Sequence, residues 1–212
     1  LGNYGVDAPG CSRGSRFLRV LGRPAPGGEL AGARADMGRI ADLLRETEPD
    51  TDVAVMNGGG LRAELPAGKL RYGSLFEAFP FDNRVAVATV TGAELATIIR
   101  DHLQRGGGIL SVSGVRVRAA CAGAELTVTL TRGEKPVTMD EKLKLVGSDF
   151  LFTGGDGFWG SVTAPKITVT DALMRDRLEQ ALRKKDKLSP KDYFRPDARR
   201  LDLKRPRPIR CR

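Results

Sequence analysis

The chain has 212 residues, 41% of them hydrophobic and 29% charged, the make-up of one large or two small soluble globular domains. No apolar run approaches the ~20 residues of a membrane span, and one histidine with three scattered cysteines cannot build a His- or Cys-rich metal centre. The net charge of +9 is localised: residues 183–212 hold 13 Lys/Arg against 4 Asp/Glu, so the rest of the chain is balanced.

In chain order, residues 1–34 are rich in Gly, Pro and Arg and read as an irregular lead-in. The chain starts at Leu1 with no apolar signal core, so a processed product or a piece of a longer one is expected. In "ADMGRIADLLRETEP", Met37, Ile40, Leu43 and Leu44 recur at helical spacing, with Pro49 just past the end. "DVAVM" reads as a buried strand that runs straight into the triplet Gly58-Gly59-Gly60. "RYGSLFEAFPF" holds a short helix stopped by Pro80, and "RVAVATV" is a strand. "TGAELATIIRDHLQRGGG" is the clearest helix: Thr91 and Glu94 fit a capping box, and Gly106 to Gly108 fit a stop. "ILSVSGVRVRA" and "ELTVTLT" alternate as half-buried strands do, and "KLKLVGS" is a further strand leading into "DFLFTGGDGFWG". "TDALMRDRLEQALRKK" reads as an amphipathic helix with Leu173, Met174, Leu178, Ala181 and Leu182 on one face. The expected class is α+β, helices layered on mixed sheets, with a domain over residues 35–185 and a basic, Pro-containing tail over residues 186–212. That tail reads first as a solvated, partly disordered extension, because acids and prolines interrupt its charge; nucleic-acid binding is the weaker reading. Cys11 and Cys211 lie near the two ends and are a candidate disulfide, since domain termini often meet.

Several engines are excluded. His102 stands on the apolar side of its helix, which argues for packing rather than a Ser-His-Asp triad. The glycine triplet is not followed by the Lys-Ser/Thr of a phosphate-binding P-loop, and no G-x-G-x-x-G stands at the right distance from an acid. Three loops remain: Asn57 to Arg62, Phe79 to Asn83, and Asp149 to Phe158. A guanidinium behind exposed glycine amides suits a phosphate or a carboxylate. Phenylalanines on separate loops can flank a flat ring, and an Asp can accept from ribose hydroxyls. These are the parts of a nucleotide pocket. The alternative is that Phe81 and Phe150 are core residues and Asp156 merely closes a Gly-rich turn.

The stretch "MNGGGLRAELPAGKLRYGSLFEAFPFDNRVAVATVTGAELATIIRDHL", with "SVSGVRV" and "DFLFTGGDGFWG" after it, resembles the C-terminal, substrate-binding domain of the 5′-nucleotidase and UDP-sugar hydrolase family, from about Ala35 to Trp159. The resemblance implies that Phe81 and Phe150 stack on either face of a nucleobase and that Asp156 binds ribose hydroxyls. It implies that Arg62 holds the phosphate, with Asn57 at the mouth and Asn83 at the base edge. Gly114 is a further candidate, for a backbone contact. Arg34 and Arg39 lie near, but not on, the place where the family carries arginines before its first helix. No catalytic residue and no metal ligand is assigned to this chain. The divalent metal pair (Zn, Mn, Co or Mg) and the bond-breaking step belong to a metallophosphatase domain expected upstream or in trans. The implied setting is extracellular or periplasmic. The competing reading is a stand-alone, non-catalytic binding or scaffold module whose basic tail holds an anionic partner.

Overall fold

In the computed structural model the described residues are 18–20, 40–63, 65, 68–106, 110–185, 187–188, 201–203 and 208–212. The lead-in apart from residues 18–20, together with Met37, Arg34, Arg39 and Cys11, lies outside them. The central element is a mixed five-stranded sheet in the order β10-β4-β9-β2-β5. Its strands are β2 (Val53–Asn57), β4 (Arg84–Thr91), β5 (Leu110–Ser113), β9 (Lys142–Ser148) and β10 (Ile167–Leu173). Strand β2 runs parallel to β9, and β4 runs antiparallel to it. A second sheet holds β6 (Arg116–Ala122), β7 (Glu125–Arg132), β8 (Lys135–Pro136) and β12 (Leu201–Leu203). A third, small sheet joins β1 (Leu18–Val20), β3 (Gly68–Leu70) and β11 (Lys187–Leu188).

Successive side chains of a strand point to opposite faces, and here both faces are buried. Val53, Val55, Ala86, Ala88, Leu143 and Leu145 go to one core. It also takes the apolar stripe of α3 (Gly92–Gln104), namely Leu95, Ile98, Ile99 and Leu103, and the inward residues of β6 and β7. Ala54, Met56, Val85 and Val146 go to the other core. It is closed by the helix at residues 40–47 (α1), by α2 (Tyr72–Ala78) and by α5 (Met174–Arg183). This double burial is why "DVAVM" is an unbroken apolar run rather than an alternating one.

The expected strands and the capped helix are present. The Thr91 hydroxyl accepts from the Glu94 amide at 3.2 Å, and the Glu94 carboxylate accepts from the Thr91 amide at 2.7 Å, closing the capping box. Helix α3 ends at Gln104, with Arg105 as its cap. Three expectations need correction. The segment read as one C-terminal helix is a strand up to Leu173, because Leu173 pairs with Arg84 and the Met174 amide donates to the Asn83 carbonyl at 2.9 Å. The chain end is not a free extension either. Strand β12 runs parallel to β6, Ile209 is buried, and the Ile209 amide donates to the Leu103 carbonyl at 2.8 Å. Cys211 forms its disulfide with Cys121 of β6, not with Cys11, at a Cα separation of 5.5 Å. The β6–β12 pairing brings the chain end to that strand, which sequence separation alone could not show.

Candidate functional site

The three loops singled out from the sequence leave the central sheet at one end. Val53 pairs with Leu145 and Ala54 with Val146 in a parallel ladder, so Asn57 and Ser148 finish at the same edge. Val85 pairs with Ser148 in the antiparallel ladder, which places the start of β4 at that edge too. The Arg84 amide also donates to Asp149 Oδ1 at 3.1 Å, fastening the start of β4 to α4 (Asp149–Phe152). Phe81, three residues before β4, and Phe150, two residues after β9, therefore lie at the same end of the sheet.

Their exposure bears on the alternative that both are core residues. Phe81 is 41% exposed and Phe150 45%, whereas their neighbours Phe152 and Phe158 are fully buried. The first two are not core residues. Phe152, Phe158 and Trp159 form the floor instead, with ring centroids 5.4, 5.7 and 4.9 Å apart, and the Trp159 indole donates to the Phe152 carbonyl at 2.6 Å. Ser148 caps α4 through the Leu151 amide at 3.2 Å. A Cβ at Gly155 would stand 2.4 Å from the Phe150 carbonyl oxygen and 2.6 Å from its ring, so glycine is what lets the loop close against Phe150.

Asp156 is the one non-glycine residue with positive φ (52°) among the described residues. Such a conformation costs on the order of 1 kcal/mol and is kept where the surroundings impose it. Here Asn57 does so. Asn57 is buried, and its side-chain amide donates to Asp156 Oδ2 at 2.7 Å. The same amide explains Gly60, where a Cβ would meet Asn57 Oδ1 at 3.2 Å. The close approach to the backbone at the triplet is thus made by the chain's own asparagine. From the other side, Arg105 donates to the Gly157 carbonyl at 2.8 Å and His102 bonds the Phe158 carbonyl at 3.2 Å. His102 is buried in this packing role, as its position on the helix suggested.

Arg62 is exposed, and its guanidinium carbon stands 5.1 Å from the centroid of the Phe81 ring. Its amide donates to the Ala78 carbonyl at 2.9 Å, which docks the glycine loop on the end of α2. Asn83 is half-buried and joins the site edge through its carbonyl bond to Met174. Gly114 is not brought to the site. It follows Ser113, which pairs with Ala54, whereas Leu110 at the opposite end of β5 pairs with Asn57. Gly114 is a glycine for local reasons: its φ is +94°, and a Cβ would stand 2.0 Å from the Asp52 carbonyl oxygen.

Sequence reasoning missed Arg175. It is buried on α5 and donates to the carbonyls of Phe79 (2.9 Å) and Phe81 (3.3 Å), to the Tyr72 hydroxyl (3.1 Å) and to Asp82 (2.6 Å). Burial pushes its pKa down, but the Tyr72 hydroxyl and Asp82 outweigh that and raise it above the ordinary value, so it stays charged. The signal was available: an arginine interrupts an apolar helix stripe between Met174 and Leu178.

The described residues do not fit a divalent metal. Among them no group of three or more His, Cys, Asp or Glu side chains could hold one. His102 already faces the Phe158 carbonyl.

An α+β domain with an aromatic, amide, carboxylate and arginine site on one sheet edge is the class that this geometry defines. Residues 33–162 match the family described as 5′-nucleotidase, C-terminal domain, and the chain belongs to that family. It is 30% identical over 130 residues to protein UshA of Salmonella pullorum, covering 59% of this chain and 23% of UshA. It is 29% identical over 141 residues to the cell wall protein Lmo0130 of Listeria monocytogenes, covering 61% of this chain and 18% of that protein. The chain thus spans about a fifth of the length of these curated relatives. The solved 5′-nucleotidase precursor from Thermus thermophilus superposes with a TM-score of 0.68 at 23% identity, over 81% of this chain and 37% of that one. Haemophilus influenzae NAD nucleotidase (NadN) gives 0.65 at 15% identity, over 79% and 32%. At these identities the two structures speak for the fold, which is the expected one.

Proposed function

We propose that the chain binds a nucleotide or nucleoside at this sheet edge and positions it for a metallophosphatase domain, upstream or in trans, that carries the metal pair and breaks the phosphate ester. The observation that carries the reading is the pair of exposed phenylalanines beside a buried asparagine that holds a positive-φ aspartate. Phe81 and Phe150 supply base stacking, which tolerates any base. Asp156, with one carboxylate oxygen bonded to Asn57, offers the other to vicinal hydroxyls. Arg62 supplies parallel donors for a phosphate. Asn83 stands beside Phe81 for the base edge. The name of a cell wall protein among the relatives favours a cell-wall or secreted setting, and the Cys121–Cys211 disulfide agrees with an oxidising compartment. The end of the basic tail on which the scaffold reading relies is bonded to α3 and β6.

The test is a thermal-shift titration with AMP, adenosine and ribose 5-phosphate. Saturable stabilisation by AMP is expected, together with loss of the adenosine response in Phe81→Ala/Phe150→Ala. No shift with any of the three ligands contradicts the reading.

A further inference from the structure

Arg175 occupies a position that physical chemistry disfavours on three counts. It is 5% exposed, so its charge is largely removed from water. It is the second residue of α5, where the helix dipole presents its positive end. Its neighbours on the stripe, Met174 and Leu178, are core residues. A residue held against those costs is held by its contacts, and these converge on one segment. Nη1 reaches the carbonyls of Phe79 and Phe81, and Nη2 reaches Asp82 Oδ1. The preceding residue, Met174, takes the carbonyl of Asn83 through its amide. Every second carbonyl of the loop from Phe79 to Asn83 is thus fastened to the start of α5. The guanidinium is itself fixed from behind, by Tyr72 at 3.1 Å and by the Phe76 ring, whose centroid is 4.5 Å from Cζ.

We infer that Arg175 is a positioning residue for base recognition: its planar fork sets the height and tilt at which Phe81 and Asn83 face the site. The inference rests on the nucleotide reading above and adds a residue that touches no ligand. It follows from the geometry that lysine does not substitute. A single ammonium cannot span two carbonyls and a carboxylate in a fixed plane. Asp82 is the outer end of the same clamp, with its side chain 74% exposed, so it can be altered without opening the core.

The test compares AMP with ribose 5-phosphate by calorimetry in the wild type, Arg175→Lys and Asp82→Ala, alongside amide hydrogen exchange of residues 79–83 in the ligand-free proteins. In Arg175→Lys, AMP affinity is expected to fall roughly 5- to 150-fold, the range given by losing one base–aromatic stack, while ribose 5-phosphate affinity holds within about twofold. Asp82→Ala shows the same split at smaller size, and the loop amides exchange faster in both variants. Parallel loss of both ligands, or unchanged AMP affinity in a folded variant, overturns the inference. If Arg175→Lys does not fold, Asp82→Ala decides alone, and unchanged AMP affinity there overturns it. Failure of the wild type to bind AMP is a different outcome: it removes the nucleotide reading, whereas unchanged loop exchange removes the positioning role.

Discussion

The contact between Arg62 and Phe81 yields a prediction that runs against intuition. The guanidinium lies 5.1 Å from the ring centroid of a phenylalanine proposed to take the base. A phosphate draws the guanidinium away with charge-assisted hydrogen bonds and bares the ring, whereas a nucleoside has to displace it unaided. An exposed cation–π contact contributes about 0.5–1 kcal/mol. Removing it in Arg62→Ala should therefore strengthen adenosine binding about two- to fivefold. AMP loses a charged hydrogen-bonding partner worth about 1.5–3 kcal/mol and recovers the same small gain, so it should bind about 2- to 70-fold more weakly. The ratio of AMP to adenosine affinity then falls by about 10- to 150-fold. Calorimetry at one fixed ionic strength measures it, since exposed charges are screened by salt. An unchanged ratio refutes the phosphate role of Arg62. Weaker adenosine binding refutes the exchange between ring and phosphate.

Other expectations concern what holds the site together. Phe158→Ala empties the aromatic floor beneath the Asp156 loop and should cost about 3–5 kcal/mol in urea unfolding; a loss under about 1 kcal/mol would mean that this floor is not tightly packed. Cys211→Ser opens a covalent loop with a sequence separation of 90; the chain-entropy relation gives about 4–5 kcal/mol for it, read as a lower urea midpoint for Cys211→Ser than for the oxidised wild type. Burial pushes the Asp101 carboxyl up, but the Ser161 hydroxyl and amide and Arg100 outweigh that and hold it below the usual carboxylate value. A lowered folded pKa means stability that is present above the unfolded value, about 3.9, and lost as pH falls towards the folded one. The stability difference between wild type and Asp101→Asn should therefore be full at about pH 6 and fade below about pH 4; a constant difference across that range would contradict the assignment.

What could be read from the sequence was mostly local. The capping box of α3 announces itself through Thr91 and Glu94, because both partners lie within one turn. Buried β2 shows itself by its unbroken apolar run, and Asp156 by the glycines around it. What could not be read depends on partners far along the chain. The segment from Thr170 to Leu173 reads as the first turn of a helix, yet beyond a register shift Leu173 pairs with Arg84 and the strand runs on to it; a distant pairing partner decides the conformation. Cys211 could have joined either other cysteine until β12 settled beside β6. Gly114 looked like a ligand contact because it stands in a motif, but the reason for it is the Asp52 carbonyl. Arg175 was visible only as an oddity on a helix face, and its four partners lie more than ninety residues away in sequence. The candidate residues Asn57, Arg62, Phe81, Asn83, Phe150 and Asp156 lie at one end of the sheet because β2 and β9 end there and β4 begins there, which is a property of register rather than of any one motif.

Whether this sheet edge is a nucleotide site is tested most directly by an amide NMR titration of the 15N-labelled protein with AMP. Saturable shifts are expected, concentrated at Asn57 to Arg62, Phe81 to Asn83 and Phe150 to Gly157, with Gly114 unmoved. Shifts that cluster elsewhere, or a spectrum that AMP leaves unchanged, would contradict the assignment of the site.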